Sequence, residues 1–296
     1  MNFELKGVVP ALITTFSDGE FSPEHFEKNI KRYIVFDISG ILVLGSTGES
    51  ILLNERERLS VVETAMKSAG DDTFVIVGTG MQSAAATIDF TNKAAEFDPF
   101  AALVVTPFYY KGLMTHQALR DYFYKVADNS KIPVMVYNVP KYTGLQIQID
   151  TIAELSLHEN IIGIKDSSGN MEFFEQLVKL RSDSFRVMQG AGSMFYPSIV
   201  MGCDGGILAL ADIAPAEVVK MYISAKEGMH DKARDIQFTL LEVNKRIVGG
   251  FGVPGIKYAV DQVGFYGGEP RSPLTEVDMT VKSEIISILK NADLIA

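Results

Sequence analysis

The chain has 296 residues, 47% hydrophobic and 22% charged, which is the composition of an ordinary water-soluble globular protein with a large core. Its 27 lysines and arginines against 37 aspartates and glutamates leave a formal charge of −10, which excludes the basic footprint that nucleic-acid binding needs. A single cysteine excludes an intramolecular disulfide, and no run approaches the roughly 18 apolar residues of a membrane span.

Residues 1–6 lack the basic start and long apolar segment of a signal peptide, so the cytoplasm is the expected compartment. Short apolar runs then recur at 7–14, 40–45, 74–80, 102–107, 134–139, 161–166, 185–190 and 205–210. They are rich in Val and Ile and mostly do not alternate with polar residues, as in parallel strands covered on both faces. Helical patterns lie between them. Ser22-Pro23 opens one that carries Phe26, Ile30, Tyr33 and Ile34 on its buried stripe. Asn54 and Glu57 form a capping box ahead of Leu59, Val62, Met66 and Ala69. Thr115 and Asn170 are suited to cap two more.

Eight strands alternating with helices predict an α/β fold, a closed (β/α)8 TIM barrel. An open doubly wound sheet is the alternative, but no G-x-G-x-x-G follows the first strand. Residues from about 231 onward hold no strand-like run and read as helices broken at Gly249-Gly250 and over 264–273. The expected organisation is one domain, with the barrel at 1–230 and a C-terminal helical extension at 231–296. Cys203 lies in an apolar stretch and reads as a packed core thiol. His25, His116, His158 and His230 have no ligand-like spacing, so neither a metal site nor a cofactor is expected.

A barrel of this kind carries its chemistry at the C-terminal ends of the strands. Lys165 ends the apolar run Ile161-Ile162-Gly163-Ile164 and precedes Asp166-Ser167-Ser168-Gly169. Apolar neighbours disfavour an ammonium, and a partly neutral lysine is a nucleophile toward ketones. Snorkelling to solvent, or pairing with Asp166, is the alternative. Gly45-Ser46-Thr47-Gly48 brings backbone and hydroxyls together in a pocket suited to a carboxylate. Tyr137, at the end of the fifth strand, can carry a proton. Lysine, carboxylate cradle and phenol on one mouth make a coherent set for imine chemistry on a 2-oxo acid.

These residues resemble the dihydrodipicolinate synthase / N-acetylneuraminate lyase family of Schiff-base class I aldolases. Gly45-Ser46-Thr47-Gly48-Glu49-Ser50 is similar to its carboxylate signature. Tyr137-Asn138-Val139-Pro140 with Thr143-Gly144 is similar to its tyrosine motif, and Ile164-Lys165-Asp166-Ser167-Ser168-Gly169 to its lysine motif. The resemblance implies that Lys165 forms the imine with pyruvate or another 2-oxo acid, that Tyr137 is the general acid/base, and that Ser46 relays protons. It implies that Thr47 binds the carboxylate, that Tyr109 completes the relay across a subunit interface, and that Gly190 and Ile207 line the pocket. A homotetramer built as a dimer of dimers is the implied assembly.

Members that make dihydrodipicolinate carry an arginine where this chain has Tyr142, preceded by Lys141. Sialic-acid lyases carry an acidic pair where Gly192 and Ser193 stand. The segments 251–257 and 264–268 are closer to 4-hydroxy-2-oxoglutarate aldolases. The expected activity is therefore cleavage of a 4-hydroxy-2-oxo acid or a 2-keto-3-deoxy sugar acid to pyruvate and an aldehyde. The alternative is 4-hydroxy-tetrahydrodipicolinate synthase, condensing pyruvate with aspartate semialdehyde. Two other classes stay open: a phosphate-handling barrel enzyme using Gly190-Ala191-Gly192-Ser193, and a non-catalytic 2-oxo acid sensor.

Overall fold

The eight apolar runs become eight parallel strands in the computed structural model, which describes residues 4–296; the signal-peptide reading at Met1, Asn2 and Phe3 lies outside them. The strands are β1 (Gly7–Pro10), β2 (Gly40–Val43), β3 (Phe74–Gly78), β4 (Ala101–Val105), β5 (Val134–Asn138), β6 (Ile161–Asp166), β7 (Arg186–Gln189) and β8 (Gly205–Leu208). From β2 to β8 each pairs with the next in sequence, and β8 pairs with β1. The ring is closed by a parallel bridge between Ala11 and Leu42. A small antiparallel hairpin, Phe16–Ser17 with Glu20–Phe21, follows β1.

The strands read as unbroken apolar runs because both faces are covered. Val9, Leu42, Ile76, Leu103, Met135, Met188 and Ile207 fill the inside of the ring. Their sequence neighbours pack against the surrounding helices. These are α1 (Pro23–Tyr33), α2 (Glu55–Ala69), α3 (Ala84–Ala94), α4 (His116–Asn129), α5 (Ile149–Leu155), α6 (Met171–Lys179), α7 (Phe195–Val200) and α8 (Pro215–Lys226). The capping box on α2 forms in full: Asn54 accepts from Glu57 N at 3.0 Å, and Glu57 accepts from Asn54 N at 2.9 Å. Thr115 and Asn170 cap α4 and α6 as their types suggest. Ser22 does not cap α1 with its side chain; its hydroxyl is engaged with His25 Nδ1 at 2.8 Å.

Several strands are shorter than their apolar runs. The first ladder ends at Pro10, yet Leu12 and Ile13 remain buried. Burial at the barrel mouth extends the apolar signal beyond strand pairing. Cys203 is buried, with its thiol pushed up to about 12 by burial.

After α8 come α9 (His230–Thr239), a nine-residue π-helix (Val243–Phe251), α10 (Gly252–Gln262) and α11 (Met279–Asn291). The expected break at Gly249-Gly250 is a wide π turn instead, and the chain changes course at Gly252, where φ is 63°. This region folds back on the barrel. Gln237 of α9 donates to Gly192 O at 3.0 Å and accepts from Tyr196 N at 2.9 Å. No helix among the described residues is long and apolar enough to cross a membrane.

Candidate active site

β5 and β6 are in register with Tyr137 opposite Lys165 and Asn138 opposite Asp166. Side chains alternate along a strand, so Tyr137 and Lys165 share one face while Asn138 and Asp166 share the other. Asp166 is therefore committed elsewhere: it accepts from Asn138 Nδ2 at 2.6 Å and from Ser168 Oγ at 2.7 Å. The pairing alternative for Lys165 is removed by strand geometry alone.

Lys165 is 4% exposed, so it does not snorkel either. Its Nζ lies 4.6 Å from the centroid of the Tyr137 ring. Among the described residues Nζ makes no hydrogen bond and no ion pair. Burial brings the amine down to about 7, and only the charge of Asp212 works the other way. A lowered pKa leaves more of the amine as free base at neutral pH than an exposed lysine has. Gly190 keeps the space beside it open, since a Cβ there would meet Ser167 Oγ at 2.0 Å and Lys165 Cε at 3.1 Å.

A second buried lysine provides a contrast. Lys257 is 1% exposed and burial lowers its pKa as well. Its Nζ, however, is paired with Glu49 Oε1 at 2.8 Å and donates to Glu269 O at 2.8 Å. Lys257 is an ion-pair member, whereas Lys165 Nζ has no such partner among the described residues.

Tyr137 is buried, which raises its hydroxyl pKa, while the hydroxyls of Ser46 and Ser167 beside it pull the value back. Ser46 comes from the turn after β2. Leu44 enters that turn at φ 58°, a strained conformation for a leucine. Thr14 Oγ1 donates to Gly48 O at 2.6 Å and pins the turn to β1. The backbone N–H groups of Thr47 and Gly48 donate to no described residue, so they are available to an anion. Ile207 is fully buried inside the ring with Tyr137.

A cavity of about 1020 Å³ opens over this mouth, with Ser46, Tyr137, Lys141, Tyr142, Phe251 and Leu274 among its lining. Tyr109 also lines it but is 74% exposed, edge-on to Tyr110 at 5.0 Å, and its hydroxyl reaches no described residue. The fold thus gathers Lys165, Tyr137, Ser46, Gly190 and Ile207, and leaves Tyr109 at the rim.

Three features escaped the sequence reading. The Asn138–Asp166 pair is one. The second is a clamp on the cradle turn: beyond the Glu49–Lys257 pair, Arg271 N donates to Glu49 Oε2 at 2.8 Å, and Arg271 Nη1 pairs with Glu57 Oε1 at 2.7 Å. Both cations lie 4.3 Å from the Phe16 ring centroid. The third is Asp212, a carboxyl within the apolar stretch Leu210-Ala211-Asp212-Ile213-Ala214. That is the same signal that singled out Lys165.

A family model described as the dihydrodipicolinate synthetase family matches residues 4–292. The 4-hydroxy-tetrahydrodipicolinate synthase of Kosmotoga olearia is 32% identical over 283 residues, 95% of this chain and 96% of its own. That of Hydrogenobaculum sp. is 33% identical over 292 residues, covering 98% and 100%. Among solved structures, dihydrodipicolinate synthase from Aquifex aeolicus has a TM-score of 0.92 at 33% identity over 98% of this chain and 99% of that one. YagE from E. coli K12, a prophage protein of the same family solved in complex with pyruvate, has a TM-score of 0.92 at 26% identity, covering 98% and 99%.

Proposed function

The chain belongs to the dihydrodipicolinate synthetase family, and from that premise we propose that it is a lyase whose Lys165 forms an imine with the keto carbon of pyruvate. The observation that carries this reading is a buried amine of lowered pKa, with no hydrogen-bond partner among the described residues, beside a buried phenol. The pyruvate complex of the YagE neighbour supports the choice of keto acid.

The N–H groups of Thr47 and Gly48 hold the carboxylate, and the Lys165 amine attacks the keto carbon. Tyr137, relayed by Ser46, moves protons to the oxygen that leaves as water. With a 4-hydroxy-2-oxo acid or a 2-keto-3-deoxy sugar acid, the 4-hydroxyl then passes its proton to the Tyr137 phenolate left by dehydration, and the C3–C4 bond breaks. Its electrons flow into the iminium, an aldehyde departs, and Tyr137 returns its proton to the enamine at C3 before water releases pyruvate. Gly190 and Ile207 shape the pocket around C3. Tyr137→Phe is expected to lower kcat by roughly 10²–10⁴-fold, measured as pyruvate release at saturating substrate.

Tyr109, Tyr110, Ile51 and Leu113 are exposed, and Tyr109 and Ile51 line the cavity. In this reading they pack against a second copy, and Tyr109 completes the partner's relay within a dimer of dimers. The cytoplasm is the compartment that goes with it.

A second reading, condensation with aspartate semialdehyde, is favoured by the names of the relatives. The rim argues for the first. Tyr142 carries no charge, and Lys141 Nζ is engaged by Gly249 O at 2.6 Å. Neither offers the bidentate fork that grips a carboxylate. The purified protein should release pyruvate from 4-hydroxy-2-oxo acids and condense aspartate semialdehyde at least tenfold more slowly at equal micromolar concentration. The reverse order would assign the synthase reading.

A further inference from the structure

The π-helix Val243–Phe251 packs against the turns that follow β7 and β8, Gly192–Met194 and Leu210–Ile213. Gly192 makes room for it, since a Cβ there would meet Asn244 Oδ1 at 2.5 Å. The far end of the helix reaches the turn Pro140–Thr143 that follows β5, so the helix spans part of the mouth. That end is weakly held from within. Gly249 and Gly250 lose more backbone freedom in a helix than other residues would. Gly252 N donates to Ile247 O, the five-residue step of a π-helix. By the same step Gly249 O would need the N–H of residue 254, which is a proline and has none. Lys141 supplies a donor from outside: its Nζ donates to Gly249 O at 2.6 Å. A cation is favoured there, at the carbonyl end of a helix. Lys141 is exposed and has no ion pair among the described residues, and its Nζ also lies 5.7 Å from the Tyr142 ring centroid. Phe251, Gly252, Val253 and Pro254 come next in the chain and line the cavity that Tyr137 and Tyr142 also line.

Resting on the imine reading above, we propose that Lys141 is a positioning residue for the aldehyde half of the substrate, latching the end of the π-helix to the turn after β5 so that Phe251 and Val253 form a fixed wall of the cavity. Phe251, Val253 and Pro254 carry no charge, and the Lys141 ammonium is already directed at a carbonyl. Such a wall takes an uncharged alkyl aldehyde, whose methylenes leave water against it. The keto-acid half does not depend on the latch. Tyr137 and Lys165 are placed opposite each other by the ladder between β5 and β6, whatever the π-helix does. Releasing the latch therefore leaves the imine site assembled and loosens only the wall beyond it. The loss falls on binding of the distal carbons and grows with their number, which is a change in KM rather than in kcat.

The test compares wild type, Lys141→Met and Lys141→Arg as full chains, with 4-hydroxy-2-oxopentanoate and 4-hydroxy-2-oxoheptanoate, which release acetaldehyde and butanal. Lys141→Met keeps an unbranched stem and loses the donor. Its KM for the heptanoate should rise by about tenfold or more, as loss of a charge-assisted hydrogen bond predicts. Its KM for the pentanoate should move much less. Lys141→Arg, still a donor, should bring the heptanoate KM back toward wild type. No KM shift, or an equal shift for both substrates, would overturn the proposal. Hydrogen exchange over residues 243–254 needs no turnover and should quicken in Lys141→Met; wild-type exchange there would overturn the proposal as well. If wild type cleaves neither substrate, exchange alone decides. Borohydride trapping with pyruvate keeps the two readings apart. No adduct in wild type would sink the imine reading, whereas adduct in both wild type and Lys141→Met, with exchange unchanged, would sink only the latch.

Discussion

Lys165→Met is expected to abolish turnover, by at least about 10⁴-fold in kcat, and to stabilise the fold at the same time. The two effects share a cause. An unfolded lysine holds its proton up to 10.5, whereas the folded site releases it at about 7. Between those values the unfolded chain binds the extra proton, so the stability contributed by this group rises with pH across that window. Below pH 7 the folded state carries the full cost of a buried ammonium, on the order of 5 kcal/mol. Methionine fills similar space without the charge. Its gain should be largest at pH 6 and should vanish near pH 10.5, as read from urea midpoints at several pH values. A gain that does not depend on pH would mean that the amine is solvated.

The clamp behaves in the opposite way. Lys257→Met leaves Glu49 buried without its cation and is expected to cost roughly 3–5 kcal/mol. Glu49 follows the cradle turn directly, so the loss should also raise KM for the keto acid. Lys257→Met combined with Glu49→Gln should recover a large part of the stability, because neither charge is then stranded. Urea unfolding of the two single variants and the double gives the coupling. Additive costs would show that the two groups do not depend on each other.

The barrel was legible because parallel strands covered on both faces leave continuous apolar runs. Those runs overshoot the strands where Leu12 and Ile13 stay buried beyond Pro10, the end of β1. Lys165 was legible for a related reason, as a charge closing an apolar run. Asp212 carries the same signature but lies inside a stretch that reads as core. The Glu49–Arg271 contact joins residues 222 positions apart, and nothing local to either announces it. Tyr109 is the converse case. Its motif was readable, but its position at the rim gives it work only if a second copy supplies the other side.

The expectations about turnover share one premise, that an uncharged amine meets a keto carbon at the mouth of this barrel. Borohydride reduction in the presence of pyruvate, read by intact-protein mass, tests it most directly. Wild type should gain one reduced pyruvate per chain, mapped to Lys165, and Lys165→Met should gain none. An unaltered wild-type mass, or an adduct that persists in Lys165→Met, would contradict it.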